Sequence, residues 1–178
     1  PIRPKGGTGP LRIAKVKQLT EPKKEISSSA DPISEASKKS LMILAEILFE
    51  YSDTSSDQQA KKGLQAIMHG SAQLSLRNLE QTKVVLHLGQ AIDAQSKNQD
   101  ELAADELAHA LLAGFEHPAL YFNLGMLRSK GNRIESAMPH LQHAVKHADF
   151  GLAARLLMGQ NLRNLGRIPE ASTEYLEA

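Results

Sequence analysis

Along the last third of this chain, small and large apolar residues return at an interval of 34 positions. Gly125 is matched by Gly159, Leu124 by Met158, Ile134 by Ile168, Ala137 by Ala171, Leu141 by Tyr175 and Ala144 by Ala178. Within each unit the apolar positions fall three and four apart, which puts them on one helical face. The pattern therefore predicts stacked pairs of helices, each pair burying its apolar face against its neighbours. Small residues at Gly125, Ala137, Ala144, Gly159 and Ala171 let two helices approach closely, while Leu141 and Tyr175 fill the space beside them.

The breaks between helices carry suitable punctuation. Lys130-Gly131-Asn132 and Leu165-Gly166-Arg167 each place a glycine at a turn, where positive φ costs it nothing. Gly131 stands one place early relative to Gly166. Pro118 and Pro169 fall in first helical turns, where the missing N–H sacrifices no internal bond. Upstream, Ala103, Leu107 and Ala110 lie 34 residues before Ala137, Leu141 and Ala144. The preceding Leu88-Gly89 sits two places earlier than strict spacing requires, which predicts a longer turn around Ser96 to Asp100. Further back, Ala60, Leu64, Ile67 and Met68 repeat the second-helix pattern, with Leu41 to Tyr51 as the partner helix of a degenerate hairpin. Between that hairpin and the regular units, Leu74, Leu76 and Leu79 predict a helical lead-in.

Leu124-Gly125, Gly131, Ala137, Leu141 and Ala144, followed by Met158-Gly159, Leu162, Gly166, Ala171, Tyr175 and Ala178, resemble the tetratricopeptide repeat, or TPR. The resemblance implies an all-α fold, an α-solenoid of antiparallel helix pairs forming a TPR-like superhelix. It would hold about three repeats plus the degenerate N-terminal helical hairpin. The implied organisation is an arm and linker over residues 1–31, the hairpin and lead-in over 32–81, and the array over 82–178. The chain begins without Met and stops midway through a second helix, so a piece of a longer array is the expectation, with an uncapped end prone to self-association.

The same resemblance implies a ligand groove lined by the first helix of each unit. The central unit supplies Phe122, Asn123, Met126, Ser129 and Lys130; the next supplies Leu157, Gln160, Arg163 and Asn164; the earlier one supplies His87, Gln90 and Asp93. TPRs often use an asparagine at the place of Asn123 to hold the backbone of a bound peptide. The basic clamp of chaperone-tail-binding TPRs is missing, because Leu86, Gln90, Ala153 and Leu157 stand at its places. Phe122, Met126 and Leu157 beside Lys130 and Arg163 suit an extended or helical segment with apolar anchors and some negative charge. The resulting expectation is a non-enzymatic scaffold for a protein or peptide partner, with no cofactor and a cytoplasmic setting.

Composition changes this picture little. Aromatics make up 4% with no Trp, so Leu, Ile and Ala must build the core. No apolar run approaches the roughly 20 residues that span a bilayer. The absence of cysteine excludes disulfides, thiolate metal sites and a cysteine nucleophile. Charge is more informative, because a net +1 conceals seven basic and two acidic side chains in residues 1–25. That breaker-rich arm reads as a solvated tail or as a contact for nucleic acid or an anionic surface. The lack of aromatic interleaving argues against nucleic acid. Leu11, Ile13, Val16 and Leu19 also suit docking of the arm into the chain's own groove or a neighbour's.

Two further clusters invite chemistry. His140, His143 and His147 fall on one helical face, a spacing that can hold a divalent ion, but no HExxH-like pattern accompanies them. They read instead as surface residues, and no metal is expected there. Lys5-Gly6-Gly7-Thr8-Gly9 lacks the order of a phosphate loop and no strand precedes it. No nucleophile elbow appears either.

Overall fold

In this computed structural model the described residues are 31–69 and 72–178, with side chains described for 31–51 and 80–178. They form seven helices: α1 (Pro32–His69), α2 (Ala72–Ser96), α3 (Asp100–Leu112), α4 (Pro118–Lys130), α5 (Ile134–Val145), α6 (Gly151–Asn164) and α7 (Ile168–Glu177). Among the described residues there is no strand, so the fold is all-helical. Among the described residues no helix is long and apolar enough to cross a membrane. The basic arm lies outside the described residues.

Three short turns, joining α2 to α3, α4 to α5 and α6 to α7, share one geometry at the 34-residue interval. The Gln99, Arg133 and Arg167 N–H groups reach back to the Ala94, Arg128 and Leu162 carbonyls at 2.9, 2.8 and 2.9 Å. Asn98, Asn132 and Gly166 donate to Gln95, Ser129 and Arg163 at 3.0 Å each. This pair of bonds is a Schellman motif, which satisfies carbonyls that the helix end would otherwise leave bare. It needs one left-handed residue, and Asn98, Asn132 and Gly166 take it with φ of 56°, 56° and 74°. The expectation that Gly131 supplies positive φ is therefore corrected: its φ is −76°. Asparagine tolerates the left-handed region better than other side-chain-bearing residues, so the motif is marked by Asn as well as Gly.

The same turns correct the register of the first unit. The turn at 97–99 is no longer than its two successors, and the place of Gly125 belongs to fully buried Ala91, not to Gly89. At the other two units the small residue is needed for close approach. A Cβ added to Gly125 would lie 2.7 Å from Leu141 Cδ2, and one added to Gly159 would lie 2.5 Å from Tyr175 Cε1.

Packing runs along the chain, α2 on α3, α3 on α4, α4 on α5, α5 on α6 and α6 on α7. The second helices bury a narrow stripe: Ala103, Leu107 and Ala110 in α3, then Ile134, Ala137, Leu141 and Ala144 in α5. Phe122 of α4 and Phe150, just before α6, stack at 5.2 Å with rings 18° apart and no exposure. Across the α4–α6 junction, Asn161 Nδ2 donates to Ser129 Oγ at 2.8 Å, and that hydroxyl donates to the Gly125 carbonyl at 2.8 Å.

Helix α1 departs from expectation. The hairpin predicted from residues 41–51 and 60–68 is not formed, because Pro32–His69 is one continuous helix of 38 residues. The stretch from Ser52 to Gln59 is polar and poor in helix formers but has neither Pro nor Gly, so nothing in it forces a break. The predicted lead-in is likewise the start of α2, and the side chains of Leu74, Leu76 and Leu79 lie outside those described.

Candidate functional site

The surface expected to be an open groove is covered in part by the chain itself. Helix α1 packs against α2, α4 and α6, the first helix of every hairpin, and among the described residues against no other helix. Its inner face consists of buried Ala36, Ser40 and Leu44, with Ile33, Ile43, Ile47 and Leu48 partly buried beside them. These positions recur three and four apart, the stripe that one helical face supplies. Ala36 and Leu44 belong to the same apolar cluster as Leu88, Phe122, Met126 and Leu157. Against α2, a Cβ on Gly89 would meet Leu48 Cδ2 at 3.9 Å, ordinary van der Waals contact. At the other end Lys39 Nζ pairs with Asp149 Oδ1 at 2.7 Å, tying α1 to the α5–α6 connection. That hydrogen bond holds the Asp149 carboxyl below its ordinary value.

The residues predicted to line the groove divide accordingly. Phe122, Asn123 and Met126 are buried, Phe122 as part of the aromatic stack just described. Lys130 is exposed and turns to Asp100 at 3.0 Å, so it bridges the first two hairpins. Arg133 joins that seam by pairing with Glu101 and Asp105. Gln160, Arg163 and Asn164 are exposed at positions that share one side of α6, and among the described residues Arg163 has no ion pair. Of the earlier unit's residues, His87 faces α3 through Glu106, while Gln90 and Asp93 are exposed.

Asn123 is the anomaly of this surface. Its side chain has no exposure, yet neither its amide nitrogen nor its amide oxygen has a hydrogen-bond partner. A buried amide left in that state costs on the order of 1–3 kcal/mol. Ser40 avoids the same cost by donating to the Ser37 carbonyl at 2.8 Å within α1. Sequence reasoning found Asn123 through the family pattern; the covering helix had no such signal, because its apolar stripe resembles any helix of a pair.

The histidine stripe resolves into separate contacts. His140 and His143 stack on Tyr121 at 6.2 and 4.7 Å, and His147 tilts against Phe150. Burial lowers the His140 pKa, with Arg128 and His143 adding to the shift. His117 has a structural task that sequence reading missed: its Nδ1 accepts from the Ala119 N–H at 3.1 Å and caps α4. Burial, then the charge of His147, lowers its pKa, consistent with a ring nitrogen that must stay unprotonated to accept. An open cleft of about 480 Å³ also lies between the last two hairpins, bounded by Met138, Gln142, Met158, Leu162 and Glu174. Compared with protein-family models, curated proteins and solved structures, the chain matches none.

Proposed function

We propose that this protein is a non-enzymatic, TPR-like scaffold whose face formed by α2, α4 and α6 receives a helical segment of a protein partner. The observation that carries this reading is α1, an amphipathic helix seated along the first helix of all three hairpins. A surface that holds one such helix has the shape and apolar character to hold another. The unpartnered amide of Asn123 supports the reading too, since an arriving backbone would satisfy it where α1 does not. Beyond the part covered by α1, Gln160, Arg163 and Asn164 remain exposed and add a basic edge suited to an acidic flank of the partner. On this reading α1 occupies the site until a partner with better contacts displaces it.

The test is to place a photo-crosslinking amino acid at Gln160 in the source cells and identify the adducts by mass. A discrete protein adduct that is lost when Arg163→Glu is added supports the reading. Adducts indifferent to Arg163→Glu, or none in a folded protein, contradict it.

A second reading has its own observation. Leu165, Ile168 and Leu176 are exposed on the last hairpin, Leu176 by 87%. Apolar side chains gathered this way suit self-association. Light scattering over a range of concentrations should then show a rising mass, abolished by Leu176→Lys with Ile168→Lys. A constant monomer mass removes this reading.

A further inference from the structure

The hairpin geometry brings three positions together in every unit: one from the first helix and two, three residues apart, from the second. In the last hairpin they are Arg155, Glu174 and Glu177, and Arg155 pairs with both carboxylates, at 3.2 Å for Glu174. In the middle hairpin they are Tyr121, His140 and His143, and the two imidazoles stack on the phenol ring. Each of these sets closes on itself, one by charge and one by ring contact. The first hairpin places His87, Glu106 and His109 at the same positions, 34 residues before Tyr121, His140 and His143.

This set differs in kind, because all three members are metal-donor groups. One ligand atom from each lies within 4.8 Å of the other two. His87 Nδ1 is 2.7 Å from Glu106 Oε2, and the His87 and His109 rings are 5.1 Å apart. Glu106 and His109 are i,i+3 neighbours on α3 and so share a face, while His87 faces them from α2. Among the described residues no Lys or Arg pairs with Glu106, so no fixed cation occupies the middle of the cluster. Donor atoms about 3.4 Å apart suit a tetrahedral ion with bonds near 2.1 Å. Side-chain rotation closes the remaining gap, since His109 is exposed and the other two are only partly buried.

We propose that His87, Glu106 and His109 form a binding site for a divalent transition-metal ion of the zinc(II) class, with solvent completing the coordination. Two imidazole nitrogens and one carboxylate oxygen are a donor set that zinc(II) accepts and that magnesium and calcium, which prefer all-oxygen shells, do not. With His87 Nδ1 and Glu106 Oε2 both turned to the ion, the hydrogen bond between them is broken and the neutral His87 ring keeps its proton on Nε2. Because the donors come from both α2 and α3, the ion cross-links the first hairpin, taking the place of the His87–Glu106 hydrogen bond and adding to the tilted His87–His109 ring contact already there.

The test is calorimetric titration of the whole chain with zinc chloride near pH 7.5 in a non-chelating buffer, alongside cobalt(II) absorption. The expected result is one ion per chain and cobalt bands of tetrahedral intensity. His87→Ala, Glu106→Gln and His109→Ala should each weaken binding by about tenfold or more, with His143→Ala leaving it unchanged. His109 is exposed, so His109→Ala carries the test if His87→Ala fails to fold. Absence of saturable binding to the parent overturns the proposal. So does full binding by folded His109→Ala and Glu106→Gln variants, or equal loss in His143→Ala.

Discussion

The hairpins from α2 to α7 and the helix α1 are both held by apolar helix packing, but they are specified in opposite ways. In the hairpins every interlock is local. Gly125 receives Leu141, Gly159 receives Tyr175, and Asn98, Asn132 and Gly166 turn three Schellman motifs at one interval. Helix α1 lies against its sequence neighbour α2 but also across α4 and α6, far along the chain. It is held by a stripe from Ala36 to Leu48 and by the distant Lys39–Asp149 pair, 110 residues apart in sequence. Local interlocks make a cooperative stack, whereas a docked helix can leave with the stack intact. That contrast is what gives α1 a place in the functional reading.

Its strongest test within the stack is Phe122→Ala. Removing a fully buried ring that stacks on Phe150 should cost about 3–5 kcal/mol, seen as a lower urea midpoint for the entire stack. A loss confined to α1 would break the comparison. For the same reason Phe122→Ala is a poor probe of partner binding, and exposed Arg163 is the better one.

Next comes Leu44→Asp, which puts a charge into the α1 seat. Hydrogen exchange should show residues 32–51 losing protection while α4 to α7 keep theirs. If all helices lose protection together, α1 is part of the stack and not a docked element. Gly125→Ala sharpens the opposite side, with an expected cost of about 1–3 kcal/mol because the new methyl meets the buried Leu141. Gly159→Ala should cost less, since Tyr175 is 38% exposed and can swing aside. Equal costs from paired denaturation curves would show that Tyr175 is as fixed as Leu141.

The smallest effect is on pH. The unprotonated rings of His117 and His140 are favoured in the fold, so their pKa values lie below the unfolded value of about 6.5. The unfolded chain therefore takes up protons first, and stability should fall as pH drops below about 6.5. His117→Asn keeps a capping acceptor that does not titrate there and should flatten part of that slope. A slope unchanged in His117→Asn would take the cap out of the pH dependence.

The stack was legible from sequence because its rules are periodic. Ala137, Leu141 and Ala144, like Ala103, Leu107 and Ala110 one unit earlier, identify the helices and are buried as the stripe requires, while in the last unit Ala171 is buried and Tyr175 is exposed. Errors arose where different residues solve the same physical problem. Matching glycines misplaced the first unit, since Ala91 fills the small position and Asn98 and Asn132 take the left-handed turns. The seat of α1 was not legible at all. An apolar stripe reports that a helix has a buried side but not what lies against it, so Leu41 to Tyr51 read equally well as half of a hairpin. The family pattern accordingly puts Phe122, Asn123 and Met126 on an open surface, whereas all three are buried.

The central claim is that the face of α2, α4 and α6 is a helix receptor occupied by α1. The most direct measurement is fluorescence anisotropy of a labelled peptide spanning residues 32–51, titrated with the parent chain and with Leu44→Asp. The account predicts saturable binding to Leu44→Asp, whose own helix has left the seat, and at least tenfold weaker binding to the parent. Equal binding to both, or none to a Leu44→Asp variant that keeps its helical signal, would contradict it.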